Sequence, residues 1–131
     1  MAFQATSDSG HTVLIDSAEA VGGQNRGPRP MEMVLMGMGG CSAIDVMSIL
    51  QKKRQEVTDC VIDLDARRAE TVPKVFTHIH ARYVVTGRNV SEKAVERAVS
   101  LSMEKYCSAT RMLASSVEIT YDYVVREAED T

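Results

Sequence analysis

The stretch PMEMVLMGMGGCSAIDVMSILQKKR, Pro30 to Arg54, decides how this chain folds. From Met33 to Leu50 it carries a single charge, Asp45. The pattern is helical from Met31 to Arg54, with Pro30 able to take the first helical position, where its missing N–H is no loss. The closing cations Lys52, Lys53 and Arg54 suit the negative end of the helix dipole. A run this long could cross a bilayer. Gly37, Gly39, Gly40, Ser42, Asp45 and Ser48 weaken that reading, and no other segment resembles a membrane element. The stretch therefore predicts a helix buried nearly all round, with a sheet on one side and another helix or another chain on the other. Glycine inside a helix costs about 0.5–1 kcal/mol relative to alanine. Gly37, Gly39 and Gly40 thus predict that some other body approaches the backbone closely.

The flanking segments supply the sheet. AFQAT and TVLIDS alternate around the turn-rich SDSGH, which predicts a β-hairpin. EAVGGQNRGPRP, Glu19 to Pro30, is a long Gly- and Pro-rich loop, and loops of that length are often functional. In CVIDLDARR one face carries Cys60, Ile62, Leu64 and Ala66, with Asp63, Asp65 and Arg67 opposite. KVFTHIHARYVVT places Val75, Thr77, Ile79, Ala81, Tyr83 and Val85 together, and ETVPK joins the two strands into a second hairpin. An amphipathic helix follows Ser91, a candidate N-cap, with Val95, Ala98, Val99 and Ser102 inward. A short helix begins near Cys107. SVEITYDYVV closes the chain as a strand, and the tail REAEDT reads as frayed. The order β-β-α-β-β-α-(α)-β is α+β, in one domain spanning residues 1–131.

With 131 residues, 44% hydrophobic and 25% charged, the composition is that of a soluble globular domain. A net charge of −3 and the lack of a long basic run argue against a nucleic-acid surface. The N-terminal segment has no basic region leading into an apolar one, which predicts no export signal. Three widely spaced cysteines then point to a reducing cytoplasm rather than a disulfide scaffold.

Two cysteines could carry chemistry. Cys41 is either a small core hydrophobe or a nucleophile, which would need a cation to lower its pKa. Asp45, one turn on, opposes that, so the cation must come from elsewhere: Arg26 or Arg29 in the preceding loop, or Arg111. Cys107 lies at a break between helices, where a helix dipole would favour its thiolate, or it is simply structural. Cys60, on an inward strand face, reads as packing. Glu32 in the first helical turn either complements the dipole or orients an arginine by a bidentate pair. His78 and His80 could share a metal but have no third ligand in view. The methionines Met31, Met33, Met36, Met38 and Met47 fill a core or line an adaptable apolar pocket.

RPMEMVLMGMGGCSAIDVMSILQKKRQ, followed later by MEKYCSATRML and a closing strand, resembles the OsmC/Ohr family, and most of all its OsmC-like redox-protein branch. The resemblance implies an intertwined homodimer with central helices, an antiparallel sheet outside and active sites at the subunit interface. It implies reduction of organic hydroperoxides in oxidative stress defence, without metal or cofactor. Cys41 would attack the peroxide and Cys107 would resolve the sulfenic acid to a disulfide, which an external thiol or dithiol resets. Arg26 would activate Cys41 and Glu32 would hold the arginine. The competing reading is a dimeric module on the same scaffold that binds a small apolar ligand or senses redox state without turnover.

Overall fold

The computed structural model describes residues 1–129, in two compact units, Met1–Gly37 and Met38–Thr131, whose boundary falls inside the long helix.

In the first unit, β1 (Ala2–Thr6) and β2 (Thr12–Asp16) form the antiparallel hairpin, in register from Ala2 opposite Asp16 to Thr6 opposite Thr12. The loop after β2 holds one 3₁₀ turn, Glu19–Val21, ended by Gly22 at φ 98°. That left-handed conformation suits glycine. Helix α1 (Pro30–Lys52) then starts. The Glu32 carboxylate accepts the Arg29 N–H at 2.8 Å, the glutamate half of a capping box.

In the second unit, β3 (Glu56–Arg68) pairs antiparallel with β4 (Phe76–Arg88). Helix α2 (Glu92–Leu101) is capped by Ser91, whose hydroxyl accepts the Ala94 N–H at 3.2 Å. A single π-helical turn, Ser102–Tyr106, leads to Cys107, then to α3 (Ser108–Leu113) and β5 (Glu118–Glu127). The antiparallel sheet expected from the hairpins is mixed instead, because β5 lies parallel to β4. The helical crossover between them returns the chain to the starting end of β4, which is how parallel neighbours are joined. Where it is described, the start of the tail is held in the sheet rather than frayed. Arg126 and Glu127 end β5 and the Ala128 N–H donates to the Gly87 carbonyl at 2.8 Å, while Asp130 and Thr131 lie outside the described residues.

The core of this unit takes Ile79, Ala81, Tyr83 and Val85 from β4, Val95, Ala98 and Val99 from α2, and Met38, Val46 and Leu50 from α1. From Ile79 to Val85 the strand alternation is as the sequence predicts, but at the start of β4 Phe76 is buried and Val75 is 51% exposed, where the pairing with β3 shifts register. The helix is not buried all round. Its buried positions, Met38, Ser42, Val46 and Leu50, form one stripe at four-residue spacing, and Ile44 on another face is 72% exposed. Burial inside one chain therefore covers only part of what the composition predicts. The glycines divide the same way. A Cβ on Gly39 would lie 2.9 Å from Leu64 Cδ1 of β3, whereas Gly37 and Gly40 face open space. The helix is long and apolar enough to cross a membrane by length and composition. Two of its polar side chains, Ser42 and Asp45, are however bonded to neighbouring elements of the same chain.

The Gly39–Leu64 contact is testable by a double-mutant cycle. Gly39→Ala gains about 0.5–1 kcal/mol of helix propensity but must displace the end of Leu64, so it comes out near neutral in urea denaturation. In a Leu64→Ala background the clash is gone and the same substitution stabilises by the full propensity difference.

Candidate functional site

Ser42 lies on the buried stripe of α1, and its side chain meets two other elements. Its hydroxyl is 2.5 Å from Tyr83 Oη on β4 and 2.7 Å from Ser102 Oγ at the start of the π turn. Ser102 donates to Asp45 Oδ2 at 3.2 Å. A carboxylate only accepts, so with Ser102 donating to it, Ser42 donates to Ser102. Tyr83 then has one hydrogen for Ser42 or for the Met103 sulfur at 2.8 Å. Burial pushes the Tyr83 phenol up to about 12; the Ser42 bond opposes this, while Cys107, Cys60 and Asp45 add to it. Tyr83 therefore stays a neutral hydroxyl across the physiological range. The partner of Asp45 is this hydroxyl chain rather than a cation.

Cys41, one position before Ser42 on α1, is half-buried, and Cys107 is fully buried after the π turn. Both are free thiols, and, beyond the effect of burial, Cys41 is near enough to Cys107 to push its pKa up. The Cys107 thiol also lies 3.9 Å from the Met38 carbonyl of α1. Thr110 donates to the same sulfur twice, from its hydroxyl at 3.1 Å and its N–H at 3.4 Å. The thiol thus caps α3, as its place at a helical break predicts, but the dipole does not decide its state. Burial pushes the Cys107 pKa above its ordinary value; the Thr110 bonds pull it down and nearby Cys41 pushes it up again. Desolvation outweighs a helix of one and a half turns.

The other sequence candidates fall elsewhere. In the first unit, Arg26 directs its guanidinium to the Gln24 side-chain oxygen, and Glu32 bonds the Arg29 backbone. Among the described residues no ion pair joins Glu32 to an arginine. Arg111 lines a cavity of about 340 Å³ with Met103, Glu104, Thr110 and Glu118. His78 and His80 point outward from β4 and meet β5, at 3.0 Å from Glu118 and 3.2 Å from Asp122. No group of three metal-ligating side chains occurs among the described residues. Cys60 is half-buried beside Asp59; burial first, and then that charge, push its pKa up, as packing predicts. A cavity of about 550 Å³ lies between α1 and α2, lined by Asp45, Ser48, Ile49, Lys52, Leu101 and Tyr106 rather than by the methionines.

Sequence reasoning missed Tyr83, Thr110 and the linking role of Ser42. The available signal was polar residues on buried stripes: Ser42 among the apolar residues of α1, and Ser102 continuing the inner stripe of α2 into the π turn.

The raised Cys107 pKa has two consequences. The folded thiol keeps its proton to higher pH than the unfolded one, so stability is full below the ordinary thiol value of 9.0 and is lost as pH rises through the folded value. Cys107→Ser removes that alkaline loss in pH-dependent denaturation. In peptide-resolved alkylation at neutral pH, Cys107 reacts more slowly than Cys41 by at least about tenfold, since only the exposed thiolate reacts.

Residues 23–122 match the family model described as OsmC-like protein. The chain is 51% identical over 125 residues to protein YhfA of Escherichia coli, covering 95% of this chain and 90% of YhfA. A hypothetical protein from Aquifex aeolicus of known crystal structure has a TM-score of 0.85 at 38% identity, covering 98% of this chain and 89% of that one. The organic hydroperoxide resistance protein OhrB of Bacillus subtilis shares the fold at 15% identity, with a TM-score of 0.60 over 95% of this chain and 96% of that one. On the match through the long helix, Cys41, Cys107 and the first half of the closing strand, the chain belongs to the OsmC-like family.

Proposed function

We propose that this protein reduces organic hydroperoxides in the cytoplasm, with Cys41 as the attacking thiol and Cys107 as the resolving one. The observation that carries the reading is two neighbouring free thiols of unequal exposure. The half-buried Cys41 can meet a substrate; the buried Cys107 can meet only its neighbour. The Cys41 thiolate attacks the distal peroxide oxygen, the O–O bond breaks, and the alkoxide leaves with a proton as the alcohol. Cys107 then displaces hydroxide from the sulfenic acid, giving a disulfide and water. An external dithiol restores both thiols and is itself oxidised to a disulfide. The hydroperoxide substrate class is suggested by OhrB, which shares this fold. Arg26 supplies the charge that favours the Cys41 thiolate, and Glu32 holds the helix start beside the arginine-bearing loop. Raised to a protonated resting state, Cys107 is suited to wait rather than to attack first.

Single-turnover and steady-state assays with cumene hydroperoxide and a dithiol test the assignment. Cys41→Ser abolishes consumption. Cys107→Ser still reacts once and traps the sulfenic acid, which a dimedone-type probe labels at Cys41. Equal rates for wild type and Cys41→Ser would refute the reading.

The active form is a homodimer in which residues 1–131 make a single domain completed by a second copy. The exposed face of α1 supports this. Val34 is 42%, Met36 58% and Ile44 72% exposed, while Gly37 and Gly40 leave open space there. A second copy of the same helix fits such a face, because self-complementary apolar patches close symmetrically. Sedimentation then finds a dimer for the wild type and a monomer for Ile44→Glu. Gly40→Ala separates the two cases. On a free helix face it stabilises by about 0.5–1 kcal/mol, whereas under a second copy it weakens the dimer.

A further inference from the structure

The loop between β2 and α1 is Gly-rich, yet it is held at many points. The Asp16 side chain, at the end of β2, is almost fully buried. Its Oδ1 accepts the Ser17 N–H at 2.8 Å, and its Oδ2 accepts the Gln24 N–H at 2.9 Å and the Arg26 N–H at 3.2 Å. The Met1 amino group stands 3.5 Å from Oδ1. The Asp16 N–H donates to the Pro28 carbonyl at 3.1 Å, so one residue ties down both arms of the loop. Between the two amides bound by Oδ2, Asn25 turns the chain at φ 55°. The backbone packs closely around this turn: a Cβ on Gly27 would lie 2.1 Å from the Leu14 carbonyl oxygen. A buried carboxylate without partners would be strongly unfavourable. Here the Gln24 amide, followed by those of Arg26 and Ser17, holds the Asp16 pKa down at about 2 against the opposing effect of burial. The same turn presents Arg26, whose guanidinium is bonded by the Gln24 side-chain oxygen, a neutral acceptor. A carboxylate in that place would cancel the charge; an amide oxygen orients it and leaves it whole.

We propose that Asp16 is the positioning residue for Arg26: its carboxylate locks the Gln24–Arg26 turn through two backbone N–H groups, and the Gln24 amide aims the guanidinium as an uncompensated charge. The catalytic meaning of this arrangement rests on the peroxidase reading, in which Arg26 stabilises the Cys41 thiolate. The mechanical claim does not. Groups that hold a functional side chain in place commonly change activity by about 10–100-fold when removed, because small displacements weaken the charge interaction they were built to deliver.

Asp16→Asn is the direct variant. It is isosteric and replaces one acceptor oxygen with a donor that faces backbone N–H groups. Amide hydrogen exchange is read first. In the wild type the Gln24 and Arg26 amides are protected within an otherwise fast-exchanging loop, and in Asp16→Asn both exchange at least about tenfold faster. Unprotected Gln24 and Arg26 amides in the wild type overturn the proposal without any variant, so the claim remains testable even if Asp16→Asn does not fold. The kinetic cycle is read second. Asp16→Asn lowers kcat/KM for cumene hydroperoxide by about tenfold, Arg26→Ala lowers it at least as much, and the double variant is no slower than Arg26→Ala alone. A merely structural Asp16 would slow both backgrounds equally, and that result overturns the positioning role. Gln24→Ala keeps the amides protected and lowers kcat/KM only when Arg26 is present; loss of protection there would refute the division of labour between the two residues. Failure of the peroxidase reading shows separately, as equal rates for wild type and Cys41→Ser, and the exchange data then decide the positioning claim alone.

Discussion

The hydroxyl of Ser42 is the point on which the second unit depends. It joins α1 to Tyr83 of the sheet and to Ser102 of the π turn within 2.7 Å or less. These groups are buried, so each bond missing would leave a desolvated polar atom at about 1–3 kcal/mol. The network therefore fixes the rotation of α1 on the sheet. That rotation places Ser42 inward, Cys41 at a half-buried position and Ile44 outward. The π turn starts at Ser102 and delivers Cys107 to the same helix, with its N–H bonded to the Ser102 carbonyl at 2.7 Å. Irregular helical turns of this kind are often found at functional sites.

The two thiols are chemically close relatives in different surroundings. Cys107 has no exposure, two donors from Thr110 and a pKa raised above the ordinary thiol value. Cys41 has an accessible side and lies near the Cys107 thiol. In the proposed peroxidase, the division of labour between an attacking and a resolving thiol rests on access and protonation, not on residue type. Asp45 is tied into the hydroxyl network, because Ser102 donates to it.

Much of the fold was legible in the sequence, and the reasons are local. Period-two alternation located β3 and β4, because each buries one face. Ser91 marked the start of α2, and the break near Cys107 marked the start of α3. The parallel placement of β5 was not legible, since its own alternation is the same in either direction. Nor was the division of α1 into a buried stripe and an exposed face, because its composition is apolar all round. At the site, Cys41 and Cys107 could be named from their resemblance to a family. Their neighbourhood could not, since it depends on Thr110 and Tyr83 arriving from distant segments. Asp16 was missed because an acidic residue ending a strand looks like solvent-facing punctuation. Only the folded loop reveals that it receives three backbone N–H groups.

The central claim is that Cys41 and Cys107 form one redox couple, and its most direct test is peptide mapping after oxidation. Wild-type protein, reduced and freed of thiol, is treated with one equivalent of an organic hydroperoxide and digested under acid without reductant. The account predicts a single linked peptide pair joining Cys41 to Cys107, with Cys60 still alkylatable. Oxidation confined to Cys41 as an unresolved sulfenic acid, labelled by a dimedone-type probe, or a disulfide involving Cys60, would contradict it.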